Sequence, residues 1–437
     1  MRQDTTHQAD FNTAQRSRLF RLSCTALVTT ALIFSIRASV LEDLGSTFGL
    51  TAETVGWCAG AAFLAFAISI FIGSPLCDYL GMGFLLGVAA LLHFAGILMV
   101  IFARNLVGAM GLSTATVLYL SWFVAGLGNG LVEAVINPLA ATLYPEDKTH
   151  KLNVLHAWWP GGIVIGGALA YLLRAAGFGW QVRLATILIP AGVYGAMLIG
   201  QKFPATERVQ AGVSTPEMIR QAFRPLFLVW FAMMFFTAAL ELGPGQWVDA
   251  TLTRTVGFEG ILLLVYISGL MFIFRHFAGP LAHRFSPVGL MWISSVLAAI
   301  GLLFLSYANS PVTGLLAATV WGIGVCYMWP TMLGVTSERF PRGGAFLLGL
   351  MGTAGNLSIQ FVLPWMGSIY DEFTKRAEAA GLPPEAARAR AAPVSFRYVA
   401  ALGLILIVVF GLIWLRDRAT GGYKVETLGV RSRRTAG

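Results

Sequence analysis

The sequence predicts an all-α membrane protein: twelve transmembrane helices in two pseudo-symmetric six-helix bundles. Three observations carry this. Of 437 residues, 57% are hydrophobic and only 12% charged, with a mean hydropathy of +0.72, whereas soluble domains carry roughly 25% charged residues. The apolar residues fall into twelve runs, each near the roughly 20 residues that a bilayer core requires. One polar stretch, "QKFPATERVQAGVSTPEMIRQAFR" (201–224), stands midway, with six runs on either side.

The runs read in order as 19–42, 54–79, 83–104, 113–143, 152–175, 181–201, 224–249, 258–282, 287–308, 312–338, 343–371 and 395–415. The first is longer than a signal-peptide core and has no small-residue cleavage pattern after it, so it reads as a retained helix. The first bundle is placed at 1–202, the linker at 203–223, and the second bundle with its tail at 224–437. With the N-terminus inside, the inner segments hold 19 of the 30 Lys and Arg and the outer segments 9. That excess sets both termini in the cytoplasm. Arg37 and Arg275 fall within spans. The net charge of +9 therefore belongs to membrane loops and not to a nucleic-acid-binding face. The long basic loop 372–394 runs against the trend, and its Ala, Glu and Arg content is that of a short surface helix.

The halves echo one another. Gly126, Gly128 and Pro145 recur as Gly322, Gly324 and Pro341, each 196 residues later. The stretches "GSPLCDYLG" (73–81) and "GPLAHRFS" (279–286) place Leu76 and Leu281 alike. Duplicated bundles of this kind hold their substrate near the bilayer midplane, where the repeats meet.

The most informative run is "GLGNGLVEAVINPLAATLYP" (126–145). Asn129, Glu133 and Asn137 recur at four-residue spacing and share a helix face. Glu133 lies ten residues from the end of its run, about 15 Å deep. An ionised carboxylate at that depth is costly unless paired. Removing a carboxyl from water disfavours its charged form and brings proton exchange into reach near neutral pH. Glu133 is thus a proton or substrate group, or a structural acid held by neighbouring donors.

Other charges and rings join it. Arg37 is expected about 22 Å from the inner face, an axial gap of about 7 Å from Glu133, and is expected to pair with it in one conformational state. Glu241 precedes Gly243-Pro244-Gly245, which should break or kink its helix. Gln246 and Trp247 follow, a pairing that suits the hydroxyls and C–H faces of a sugar. In "LNVLHAWWPGG" (152–162), Asn153, His156 and Pro160 share a face. His156 is a second candidate for proton exchange, and Trp158 and Trp159 are candidates to stack on a solute. Asn356 and Gln360 on the eleventh run are assigned to solute hydrogen bonding, with Tyr327 and Trp329 on the tenth. By the 196-residue offset, Trp329 stands where Glu133 does. The bland alternatives are a static ion pair, polar contacts between helices and an interfacial tryptophan belt. Cys24, Cys58, Cys77 and Cys326 form no CxxC pair and read as small core residues.

Over essentially its whole length the sequence resembles the major facilitator superfamily. The superfamily's loop signature matches at Gly73, Leu76, Asp78 and Gly81, with Met82 and Gly83 where its basic pair would stand. The second-half copy keeps Leu281 and Arg284 and has His283 in place of an acid. The resemblance implies that Asp78, Gly81 and Arg284 belong to a conformational-switch loop. Gly126, Gly128, Glu133, Asn137, Pro138, Leu152, Asn153, Gly161 and Gly162 resemble the fucose/glucose/galactose–proton symporter branch. That resemblance implies proton coupling through Glu133. The branch's first-helix aspartate falls at about Ala38, beside Arg37.

No GxxxxGK[ST], no nucleophile motif and no metal-spaced His/Cys cluster is present. The expectation is therefore not an enzyme but a secondary transporter, free of cofactor and metal. It would move a small hydrophilic solute, a monosaccharide by preference, by alternating access in the bacterial inner membrane. Glu133, Arg37 and Glu241 would couple protons, the only partners being solute, protons and lipid, and the chain is expected to act as a monomer. The alternatives are a carrier of an anionic solute such as a sugar acid with Arg37 as counter-charge, an uncoupled facilitator, and a non-transporting membrane sensor. The 24-residue linker and the lack of a soluble domain speak against the last.

Overall fold

The computed structural model describes residues 11–256 and 260–428, with the side chains of residues 52–53, 246–256, 260–262 and 264 outside that description. The described residues form nineteen α-helices: α1 Thr13–Phe48, α2 Ala52–Leu80, α3 Met82–Ile101, α4 Ala103–Met110, α5 Thr114–Leu143, α6 Lys148–Ala175, α7 Trp180–Ala185, α8 Leu188–Leu198, α9 Glu207–Gln210, α10 Thr215–Gln221, α11 Pro225–Val256, α12 Gly260–Arg275, α13 Ala278–Phe285, α14 Pro287–Leu305, α15 Pro311–Val325, α16 Met328–Arg339, α17 Gly344–Ala379, α18 Pro384–Ala391 and α19 Val394–Ala419.

Each of the twelve predicted runs is a helix or a consecutive helix pair. Ten candidate spans among the described residues are long and apolar enough to cross a bilayer, and the pair Val265–Arg275 and Ala278–Phe285, bent by 63°, makes an eleventh. The predicted fifth run, α6, does not meet that test. His156, Trp158, Trp159 and Pro160 interrupt its apolar sequence. The basic loop 372–394 is mostly helical: α17 runs on to Ala379, and α18 buries Ala387 and Ala391.

The chain divides into two compact units. One takes in residues up to Arg224 together with Phe340–Thr353, and the other Pro225–Arg339 and Ala354–Val425. The first residues of α17 fall in the first of these units. Within each unit, small residues let helices close on one another. A Cβ at Gly128 would lie 2.5 Å from His93 Cδ2 on α3. One at its repeat counterpart Gly324 would lie 2.3 Å from the Ala298 nitrogen on α14. The same position of the repeat makes the same kind of close crossing in both units.

The prolines show how these helices survive interruption. Proline removes one N–H and frees the carbonyl four residues earlier. At Pro138 the freed carbonyl, Ala134, accepts from Cys77 Sγ at 3.4 Å. At Pro244 it is Leu240, which accepts from Trp321 Nε1 at 3.1 Å. At Pro330, in the first turn of α16, the carbonyl four residues back is Cys326, in the break between α15 and α16, and it accepts from Arg275 Nε at 2.6 Å. The predicted break at Gly243-Pro244-Gly245 is therefore absent, and α11 is helical through all three residues. Neighbouring side chains commonly re-satisfy freed backbone groups in membrane helices. The Trp321 indole does so here.

Candidate functional site

In the first unit, Glu133, Asn137 and His156 form one buried cluster. Asn137 Nδ2 donates to Glu133 Oε2 at 2.9 Å and to the Glu133 carbonyl at 2.9 Å. Asn137 Oδ1 lies 2.8 Å from His156 Nε2 and accepts from it. That nitrogen is also 4.0 Å from Glu133 Oε2. The carboxyl is 5% exposed. Asn137 on α5 and His156 on α6 place an amide and an imidazole beside it. An imidazole this close to a carboxyl is a titratable neighbour able to exchange a proton with it.

Asn129 sits on the same α5 stripe but faces elsewhere. Four residues advance a helix by about 40° beyond a full turn, so the stripe swings about 80° from Asn129 to Asn137. Asn129 Oδ1 meets His93 Nε2 at 3.0 Å. The other ring nitrogen, Nδ1, accepts from Tyr194 Oη at 2.9 Å. Sequence reading missed His93 and Tyr194, and both are fully buried. His93 is one polar residue in an apolar run, with no spacing partner to mark it.

The structure does not bring Arg37 to Glu133. The Arg37 guanidinium donates to the Ala59 carbonyl at 3.1 Å. It lies over Phe63 at 4.6 Å, Phe34 at 5.8 Å and Trp122 at 5.8 Å. Trp122 is eleven residues before Glu133 on α5, about 16 Å along the axis. The expected pairing needed two long side chains to close an axial gap of about 7 Å, whereas the guanidinium lies instead beside Ala59 and Trp122. Phe34 also meets Trp159, with ring centroids 5.8 Å apart.

In the second unit, Glu241 pairs with Arg275 through Oε1 at 2.9 Å. Its Oε2 is buried and has no hydrogen-bond partner among the described residues. Arg275 thus satisfies both a carboxylate and the carbonyl freed by Pro330. Tyr327 turns its hydroxyl to the Phe274 carbonyl at 3.0 Å, so that hydroxyl is engaged within the helix bundle. Trp329 lies half-buried against Gly355, where a Cβ would stand 2.2 Å from its ring. The next residue, Asn356, is buried, and Gln360 one turn on is exposed. The Gln246 and Trp247 side chains lie outside the described residues.

Asp78 carries the loop signature, and its arginine comes from the linker. Arg208 reaches it at 2.9 Å through Nε and 2.6 Å through Nη2, and Thr206 donates to the other oxygen. The basic pair absent at Met82 and Gly83 is thereby replaced from α9. Gly81 takes φ +84°, a left-handed conformation that glycine adopts without strain. Arg284 is exposed, with its guanidinium 5.4 Å from the Phe285 ring centroid. Among the described residues, no three His, Cys, Asp or Glu side chains group as metal ligands would.

The sequence is similar to known transporters. The model of the Major Facilitator Superfamily matches residues 22–363, well over half of the chain. No curated protein sequence matches. Among solved structures, the E. coli fucose:proton symporter FucP superposes with a TM-score of 0.67 at 16% identity, over 89% of this chain and 98% of that one. The proton:xylose symporter XylE, bound to 6-bromo-6-deoxy-D-glucose, gives 0.74 at 16%, over 92% and 97%. The human organic anion transporter MFSD10 gives 0.65 at 14%, over 90% and 99%. At such identities the likeness is one of fold.

Proposed function

The chain belongs to the Major Facilitator Superfamily and is a multi-pass membrane transporter, not an enzyme; from that premise we propose that it carries a monosaccharide-sized hydrophilic solute by alternating access, with Glu133 as its proton-carrying group. The observation that carries the reading is the Glu133–Asn137–His156 cluster. There a buried carboxyl accepts from an amide N–H and has an imidazole, a titratable group, 4.0 Å away through which a proton can be exchanged. Two structural neighbours, the fucose:proton symporter FucP and the proton:xylose symporter XylE, point the same way.

The half-buried Trp159 and Trp329 offer the apolar faces that sugar C–H surfaces require. Asn356 and Gln360 offer amides for hydroxyls. Glu241, with one oxygen bonded to Arg275 and the other open, is assigned to hydrogen-bond a solute hydroxyl or a proton. Cytoplasmic termini complete the proposal on the strength of the Lys and Arg distribution.

The test is uptake of radiolabelled hexoses into proteoliposomes with and without an inward proton gradient. Accumulation above equilibrium in the wild type supports the reading. Equilibration that ignores the gradient would make the protein a facilitator and leave Glu133 a structural acid.

A further inference from the structure

Five cationic side chains are buried among the described residues: Arg37, Lys148, Arg183, Arg208 and Arg275. Four have a carboxylate. Lys148 meets Glu207 at 2.6 Å, Arg208 meets Asp78 at 2.6 Å and Arg275 meets Glu241 at 2.9 Å, while Arg183 pairs with Asp43. Arg37 has none among the described residues. It is 5% exposed, and one of its N–H groups is bonded, to the Ala59 carbonyl. A guanidinium presents five N–H donors in a planar fork. Three aromatic rings surround it, and their faces attract the cation but carry no net charge to neutralise it. A buried charge is ordinarily paired or ligated.

We infer that Arg37 is the binding point for a carboxylate on the solute, so that the transported sugar is a sugar acid. The fork geometry suits a carboxylate held through two parallel hydrogen bonds. The placement suits a sugar. Phe34 touches both the Arg37 guanidinium and Trp159. Trp159 stands one helical turn from His156, the histidine of the Glu133 cluster. A pyranose ring stacked on Trp159 therefore directs a substituent toward Arg37 on one side and hydroxyls toward His156 on the other. This rests on the sugar reading above and adds the charge of its substrate.

The test compares a hexuronate with its parent hexose, galacturonate against galactose and glucuronate against glucose. Uptake is measured in chloride-free proteoliposomes under an inward proton gradient, for the wild type, Arg37→Lys and Arg37→Gln. The expected result is a wild-type KM at least ten-fold lower for the uronate than for the hexose. The ratio falls toward one in Arg37→Gln and is partly kept in Arg37→Lys, with each variant first shown monodisperse by size-exclusion chromatography. If the hexose is accumulated and the uronate is not, proton-coupled sugar transport stands and the carboxylate assignment is overturned. An unchanged uronate-to-hexose ratio in folded Arg37→Gln overturns it equally. If neither sugar enters, the sugar reading falls and takes this inference with it.

Discussion

Asn137 gives both amide hydrogens to Glu133, one to the carbonyl and one to Oε2, and its oxygen faces His156. Each of the three side chains is oriented by another, and the carboxyl lies beside an amide and an imidazole. The second buried network is of a different kind. Tyr194, His93 and Asn129 link α8, α3 and α5 with no charge involved. His93→Leu leaves the Asn129 oxygen and the Tyr194 hydroxyl without their partner. A buried polar group left unsatisfied costs about 1–3 kcal/mol, so the variant should melt several degrees lower in detergent, and an unchanged melting temperature would contradict the network. The α5 stripe was legible because polar residues at four-residue spacing in an apolar run are visible as a pattern. His93 and Tyr194 were not, since each stands alone in its run. Nor was the surrounding of Arg37, because a long side chain places its charge far from the backbone position that spacing arguments use.

The helices hold their shape through side chains remote in sequence. Trp321 and Leu240 are 81 residues apart, and no local pattern announces that an indole will cover the carbonyl freed by Pro244. That is why a break was predicted where none exists. Trp321→Phe keeps the ring and removes the donor. It should destabilise the second unit by about 1–3 kcal/mol, whereas Pro244→Ala, which restores the local N–H, should be nearly neutral. Thermal melts of the two variants measure this, and equal losses would refute it. Gly355 makes a second claim at this scale. A Cβ there would lie 2.2 Å from the Trp329 ring, so Gly355→Ala must push the indole aside. If Trp329 contacts the solute, KM should rise about ten-fold, equivalent to roughly 1.4 kcal/mol, with a shift in tryptophan emission. A moved emission band with an unchanged KM would remove Trp329 from the binding site.

Across the whole molecule, the order of the twelve segments and the polar linker were legible from hydropathy alone. The pseudo-repeat was legible too, since Gly128 and Gly324 make equivalent close crossings in the two units. The course of the linker was not legible, because its attachment depends on single ion pairs. Arg208 joins α9 to Asp78 and also bonds the Val213 carbonyl. Arg342, at the start of the Phe340–Thr353 segment, reaches Glu217 on α10. The linker is thereby fastened within the first unit at both of its short helices. Arg208→Gln should release it, and limited proteolysis should then cut between residues 203 and 224 several-fold faster than in the wild type. Equal cutting rates would show that the pair does not hold the linker.

The account turns on Glu133, and it is tested most directly by comparing the wild type with Glu133→Gln in proteoliposomes loaded with sugar. The glutamine keeps the size and hydrogen bonding of the side chain and removes its proton exchange. The prediction is that gradient-driven accumulation falls at least ten-fold while counterflow exchange of the same sugar continues. If the variant still accumulates sugar against its gradient as the wild type does, Glu133 does not carry the proton.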